Sequence, residues 1–112
     1  MQPLFSNKLT NFLDRFVSFE DGEFRNIEIK DPTTITLTFA TQDKNRGYDW
    51  ITIKLEFSGV SDASLIDNEK LSFVDMSNGI SLKNDGTVFA FKIINSTCQI
   101  KSSTIKFEEG QF

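Results

Sequence analysis

Between Asp49 and Val60 apolar and polar residues alternate without a break. Ile51, Ile53, Leu55 and Phe57 fall on one side, and Trp50, Thr52, Lys54, Glu56 and Ser58 on the other. Successive side chains of a strand point to opposite faces, so this stretch is a half-buried β-strand with one apolar and one wet face. The same period runs through Thr34 to Thr41, where Ile35, Leu37 and Phe39 share a side and β-branched residues are dense. The polar segment Gln42 to Tyr48 between the two has hairpin length, so the pair is expected to form an antiparallel hairpin at the middle of a sheet.

Further strands are expected on either side of this pair. Phe24 to Lys30 carries Ile27 and Ile29 in phase and Phe24 out of phase, which a bulge near Asn26 reconciles. Asp31-Pro32 ends that strand, because proline lacks a donor and restricts its predecessor. Leu71 to Met76 reads as a strand leading to Asn78-Gly79, a strong hairpin signal. Ile80 to Leu82 runs on to the tight turn Asn84-Asp85-Gly86, and Val88 to Ile94 follows with Phe89, Phe91 and Ile93 in phase. The last strands are Cys98 to Lys101 and Thr104 to Glu108. Their parity changes between Ile100 and Ile105, so a bend is expected near Ser102-Ser103.

One helix is expected, over residues 5 to 17. Leu9, Phe12, Leu13 and Phe16 recur at helical spacing with Phe5 a turn earlier, and Ser6 or Asn7 is the candidate N-cap. The sum is a single α+β domain spanning 1–112. An N-terminal helix packs on the concave face of a curved, mostly antiparallel sheet of about six to eight strands, a roll or half-barrel.

Composition narrows the function classes. Twelve of the 112 residues are Phe, against one Tyr and one Trp, and Phe has no polar handle, so a Phe-packed core is expected. The net charge of −4 and pI near 4.7 argue against nucleic acid or an anionic membrane as partner. No apolar run is long enough to cross a bilayer, and the N-terminal residues lack the pattern of a signal peptide, so a cytoplasmic location is expected.

Histidine is missing altogether. That removes Ser-His-Asp and Cys-His catalysis and every imidazole metal site. The lone Cys98 lies in an alternating strand and reads as a buried, inert thiol. Ser103 and Lys106 match a Ser-x-x-Lys spacing, but on a strand they point to opposite faces. Asp43-Lys44-Asn45 opens like a calcium loop, yet Gly47 comes one place early and Lys54 stands where the closing Glu belongs. Gly-rich phosphate loops are absent. Carboxylates that could do acid–base work are Asp49, Glu56, Asp62, Asp67, Glu69 and Asp75.

No catalytic residue, metal or cofactor is therefore expected. The best candidate site is a partner-binding patch of Trp50, Tyr48, Arg46, Lys44 and Asp49, since aromatic and arginine residues together anchor interfaces. Whether Trp50 is offered to a partner or covered by another part of the chain is open at this level. A second candidate is the polar stretch Asp75 to Gly79. The expected function is a small non-enzymatic protein-interaction domain, an adaptor or inhibitor. Small acidic α+β proteins that neutralise toxic nucleases share this general character. The alternative is a ligand-binding module with an apolar cavity between helix and sheet. A homodimer through an edge strand such as Thr104 to Glu108 is a further expectation.

Overall fold

The computed structural model describes all 112 residues and places the alternating stretch at the centre of a five-stranded antiparallel sheet. In chain order the strands are β1 (Gln2–Pro3), β2 (Glu23–Asp31), β3 (Thr34–Asp43), β4 (Asp49–Ser58), β5 (Asp62–Ser64), β6 (Ile80–Asp85), β7 (Val88–Ile93), β8 (Gln99–Ser102) and β9 (Thr104–Gln111). One helix, α1 (Leu9–Arg15), follows a 3₁₀ turn at Ser6–Lys8. The first sheet has the order β1-β9-β4-β3-β2, and a second, four-stranded sheet has the order β5-β8-β7-β6.

The α+β class and antiparallel pairing thus agree with the sequence, while two sheets take the place of one curved sheet. The reason lies at one corner. β4 pairs with β9 up to Ser58↔Thr104, and β5 pairs with β8 from Asp62↔Lys101. Between them the Ser103 N–H bridges to the Ser58 and Gly59 carbonyls at 3.1 and 3.2 Å, and the Ser61 N–H to the Lys101 carbonyl at 2.9 Å. One two-stranded ribbon therefore folds over and passes from the first sheet to the second, as strands do at sandwich corners. Gly59 sits on the bend at φ +64°, where a Cβ would overlap the Ser103 side chain. This is the bend that the parity change near Ser102-Ser103 anticipates.

The inner faces of both sheets meet in one contiguous cluster of 24 buried residues. Ile35, Leu37 and Phe39 from β3 and Ile51, Ile53, Leu55 and Phe57 from β4 face Leu82, Phe91, Ile93 and Ile100 of the second sheet. Phe39 and Phe57 both meet Phe91, at ring separations of 6.2 and 5.2 Å. Near α1, the Phe12 ring lies 5.1 Å from Phe107 of β9, and the Thr41 hydroxyl donates to the Phe16 carbonyl. Phe5 is not part of the helix stripe, being 60% exposed, and neither Ser6 nor Asn7 caps the helix with its side chain.

After α1 the chain makes a left-handed turn. Val17, Ser18, Phe19 and Asp21 all have φ between +52° and +60°. L-residues pay about 1–2 kcal/mol each for that conformation. Burial of the Phe16 and Phe19 rings, both fully enclosed, offsets the strain.

Three expectations need correction. Leu71 to Met76 is not a strand: Asn68–Phe73 forms a 3₁₀ helix, closed by Lys70 N–H to Asp67 O and Val74 N–H to Leu71 O. Leu71 and Met76 are buried as anchors of that helix and its exit, while Phe73 points out of the protein at 84% exposure. Asn78-Gly79 is a tight turn, with Gly79 N–H on Met76 O, but it joins no pair of strands. The hairpin partner of β6 is β7, through the expected turn at Gly86. Lastly, the strand beginning at Thr104 is not a free edge. β4 flanks it on one side, and β1 covers Lys106 and Phe107 on the other. The outer strand at the far side is β2, where the Asn68 side chain accepts from Ile27 N–H and donates to Ile27 O, both at 3.0 Å, occupying the edge as a partner strand would.

Candidate functional site

The β3–β4 hairpin carries the expected patch and divides it. In the register Gln42↔Trp50 and Asp43↔Asp49, odd positions of this hairpin share the inner face with Thr41 and Ile51, and even positions face out. Asp43 thus turns inward, where its side chain is fully buried, and Trp50 turns outward.

Around Asp43 two arginines and two carboxylates close a ring. Arg15, from the end of α1, donates through Nε and Nη2 to Asp43 at 3.0 and 2.8 Å, and through Nη1 and Nη2 to Glu109 of β9 at 3.2 and 3.0 Å. Arg46 reaches Asp43 Oδ2 and Glu109 Oε1, each at 3.1 Å. The Asn45 N–H donates to Asp43 Oδ1 at 3.0 Å, so Asp43 also caps the Lys44–Arg46 3₁₀ turn. The ring ties helix, hairpin and β9 together with no net charge. Two-point Arg–carboxylate contacts of this kind are among the stronger ion pairs.

The hydrogen bonds from Arg15 hold the Asp43 carboxyl below its ordinary range, outweighing the opposing effect of burial. An aspartate ionises near pH 3.9 when unfolded. The contribution of Asp43 to stability is therefore complete above about pH 4 and is lost as pH falls through its lower folded value. Asp43→Asn is expected to lower stability at neutral pH and to flatten the acid limb of a denaturation profile taken from pH 6 to about pH 2. A variant whose profile stays parallel to that of the native chain would show that the ring does not set acid stability.

On the outer face the chain builds a different cluster. The Trp50 ring lies 5.7 Å from that of Phe112, and the Arg25 guanidinium sits 4.3 Å from the centre of the Phe112 ring. Arg25 Nη1 also donates to the Phe112 carbonyl at 3.2 Å. Two residues before Phe112, Gly110 sits opposite Thr52, where an added Cβ would lie 2.6 Å from the Thr52 hydroxyl oxygen. Trp50 is 38% exposed and Phe112 59%, so Trp50 is neither core nor free: it is half covered by an aromatic residue that is itself open.

The expected patch residues can now be placed. Trp50, Arg46 and Asp49 line one shallow cleft of about 360 Å³ with Glu109, Gly110 and Phe112. Tyr48 stands beside it, half exposed at φ +68°, its N–H on the Asp43 carbonyl. Lys44 points away, 3.3 Å from Asp14 of the helix. Arg46 serves the inner ring as well as the cleft wall. Arg25 and Phe112 are absent from the sequence-level patch. Gly110, an unusual residue within a strand, is the one local sign of a close approach there, which is to Thr52.

Other candidates separate. No three Asp, Glu or Cys side chains converge as a metal would need. Burial pushes the Cys98 thiol up to about 11, as expected of an inert core cysteine. Ser103 Oγ faces the Ser58 and Gly59 carbonyls at the corner. The polar stretch Asp75 to Gly79 forms a surface cluster in which Asn95 Nδ2 donates among Asp75, Ser77 and Asn78.

The largest depression, about 540 Å³, is an open groove between residues 2–5, α1 and Lys44-Asn45. Lys8, Asp14 and Arg15 line it alongside Leu4, Phe12 and Phe107. The fully buried Phe39, Phe57 and Phe91 line none of the main depressions. No helix is long and apolar enough to cross a membrane.

Compared with known proteins, the chain matches no protein-family model, no curated protein and no solved structure.

Proposed function

We propose that this chain is a non-enzymatic protein-interaction module, an adaptor or inhibitor, that presents the Trp50–Phe112 face to a protein partner. The observation that carries the reading is the stack Trp50–Phe112–Arg25 on the outer face, with both rings open to solvent. Trp, Phe and Arg are the residue types enriched at the centres of protein interfaces. The stack is held in place by its own contacts, so a partner does not have to order it. The residues that accompany it contain no nucleophile beside a base, which favours binding over catalysis. The alternative, a ligand-binding module, would have to use open surface depressions such as the mixed-polarity groove beside the helix, because the buried Phe39, Phe57 and Phe91 line none of the main ones.

Affinity capture with native and Trp50→Ala protein tests the reading. The native chain is expected to retain a specific protein partner, and the variant to bind that partner at least about tenfold more weakly. Its melting temperature should stay close to that of the native chain, because Trp50 lies outside the core cluster. Retention of the same partner at equal yield by Trp50→Ala would overturn the proposal.

A further inference from the structure

A second exposed feature lies apart from Trp50 and Phe112, sharing only Arg25 with their stack. Phe73 is the most exposed large apolar residue of the protein, at 84%. It stands at the end of the Asn68–Phe73 helix, whose residues Leu71 and Ser72, with Val74, form one wall of a depression of about 220 Å³. Gly22, Glu23 and Phe24 form the other wall. An isolated exposed phenylalanine needs no explanation. One raised beside an apolar depression with fixed walls does.

The walls are fixed. Asp21 N–H donates to Met76 O at 2.8 Å, which joins the turn after α1 to the chain leaving the 3₁₀ helix. The turn itself is the left-handed segment from Val17 to Asp21, locked by the buried Phe16 and Phe19. Asn68 bonds both backbone groups of Ile27, which seats the helix on β2. Backbone strain of this extent is retained only where the surroundings enforce it.

Charge says what fits there. The two segments, residues 17–25 and 67–76, carry six carboxylates, Glu20, Asp21, Glu23, Asp67, Glu69 and Asp75, all exposed. Their only cations are Arg25 and Lys70. These two segments therefore hold the whole net charge of −4, and the ten acids elsewhere are matched by ten cations. Of the six, only Glu23 has an ion-pair partner, Arg25 at 3.6 Å. Such a field steers and retains a positively charged protein and repels an acidic one, a second copy of this chain included.

We infer that the face formed by the Asn68–Phe73 helix and the Glu20–Glu23 turn docks a basic protein, with Phe73 inserted as the apolar anchor. The inference rests on the reading of the chain as an interaction module, and it names the partner's chemistry and a second contact point. Phe73 supplies the desolvated centre, and the surrounding carboxylates supply a polar rim.

The test is titration of the isotope-labelled chain with a synthetic amphipathic Leu/Lys peptide, followed by amide shifts. A Leu/Glu peptide is the control. Shifts are expected at residues 20–23 and 67–76, with none from the Leu/Glu peptide. They should vanish near 1 M salt, where charges are screened beyond about 3 Å. Phe73→Ser should weaken binding at least about tenfold, with the fold intact because its side chain is 84% exposed and outside the core cluster. No shifts, shifts spread evenly over the carboxylates, an unaffected Phe73→Ser variant, or self-association through Phe73 would overturn the inference. Shifts centred on Trp50 and Phe112 would overturn it while leaving the interaction-module reading in place. If neither Trp50→Ala nor Phe73→Ser weakens capture of the protein partner, both readings fail.

Discussion

Phe39→Ala is expected to cost roughly 3–5 kcal/mol, the range for truncating a fully buried aromatic. Phe39 has no exposed surface and links four parts of the chain. Its ring stacks on Phe24 of β2 at 4.6 Å, meets Phe19 of the left-handed turn edge-on at 5.2 Å, and faces Phe91 of the second sheet at 6.2 Å. A cavity there removes dispersion contacts from all of them at once, and the strained turn loses one of the rings that hold it. For a domain near this size the loss corresponds to a fall in melting temperature of roughly 15–25 °C. Chemical denaturation with paired thermal melts measures it. A cost under about 2 kcal/mol would mean that the two sheets close over the gap, which the tight ring separations argue against. Phe73→Ala, the same chemical change on the surface, should stay within about 0.5 kcal/mol of the native chain.

The second large effect is expected at Gly79. Its φ of +68° already disfavours any side chain, by about 1–2 kcal/mol. More important, an added Cβ would overlap the Ser18 carbonyl oxygen and lie 2.9 Å from the Glu20 nitrogen. Those atoms are backbone of the left-handed turn, which cannot retreat because Phe16 and Phe19 are buried on its other side and the Phe16 carbonyl accepts from Thr41. Gly79→Ala should therefore cost about 3 kcal/mol or more, beyond the conformational part alone. Gly86→Ala is the control: its φ is +65°, but a Cβ there meets nothing within 4 Å, so about 1 kcal/mol is expected. Equal urea midpoints for the two variants would show that the turn is free to move, and would remove the rigid wall from the Phe73 surface.

Much of the fold was legible locally. The alternation of Ile51, Ile53, Leu55 and Phe57, and of Ile35, Leu37 and Phe39, names the inner face of the central hairpin, because a period of two has one structural meaning. Phase slips were equally informative. Phe24 against Ile27 marks the bulge that the β2–β3 register shows, and Ile100 against Ile105 marks the corner at Ser103. The sequence misled where a pattern had two meanings. Leu71, Phe73 and Met76 alternate loosely as a strand would, but beside the outer strand β2 only the Asn68 side chain bonds the edge, and the chain closes its own hydrogen bonds in a 3₁₀ helix. Val17, Ser18 and Phe19 carry no sign of a left-handed turn, since nothing intrinsic to Val or Phe favours one.

The candidate patch divided along the same line. Trp50 on the outward parity of the hairpin is a consequence of counting by two. Its neighbours are not. Arg15 and Asp43 are 28 positions apart, and Arg15 and Glu109 are 94 apart, so no window of sequence joins them. By itself, the alternation from Asp49 to Ser58 determined a central strand with Trp50 on its outer side, because side-chain direction in a strand depends only on position along it. Tertiary structure alone decided that the ribbon folds into two sheets at Gly59. It also decided that Arg15 and Glu109 close around the buried Asp43, that Phe112 half covers Trp50, and that the acidic turn at Asp21 is joined to the exit of the Asn68–Phe73 helix at Met76. Each of those is a contact between segments distant in the chain, fixed by which surfaces the packed core leaves within reach of each other.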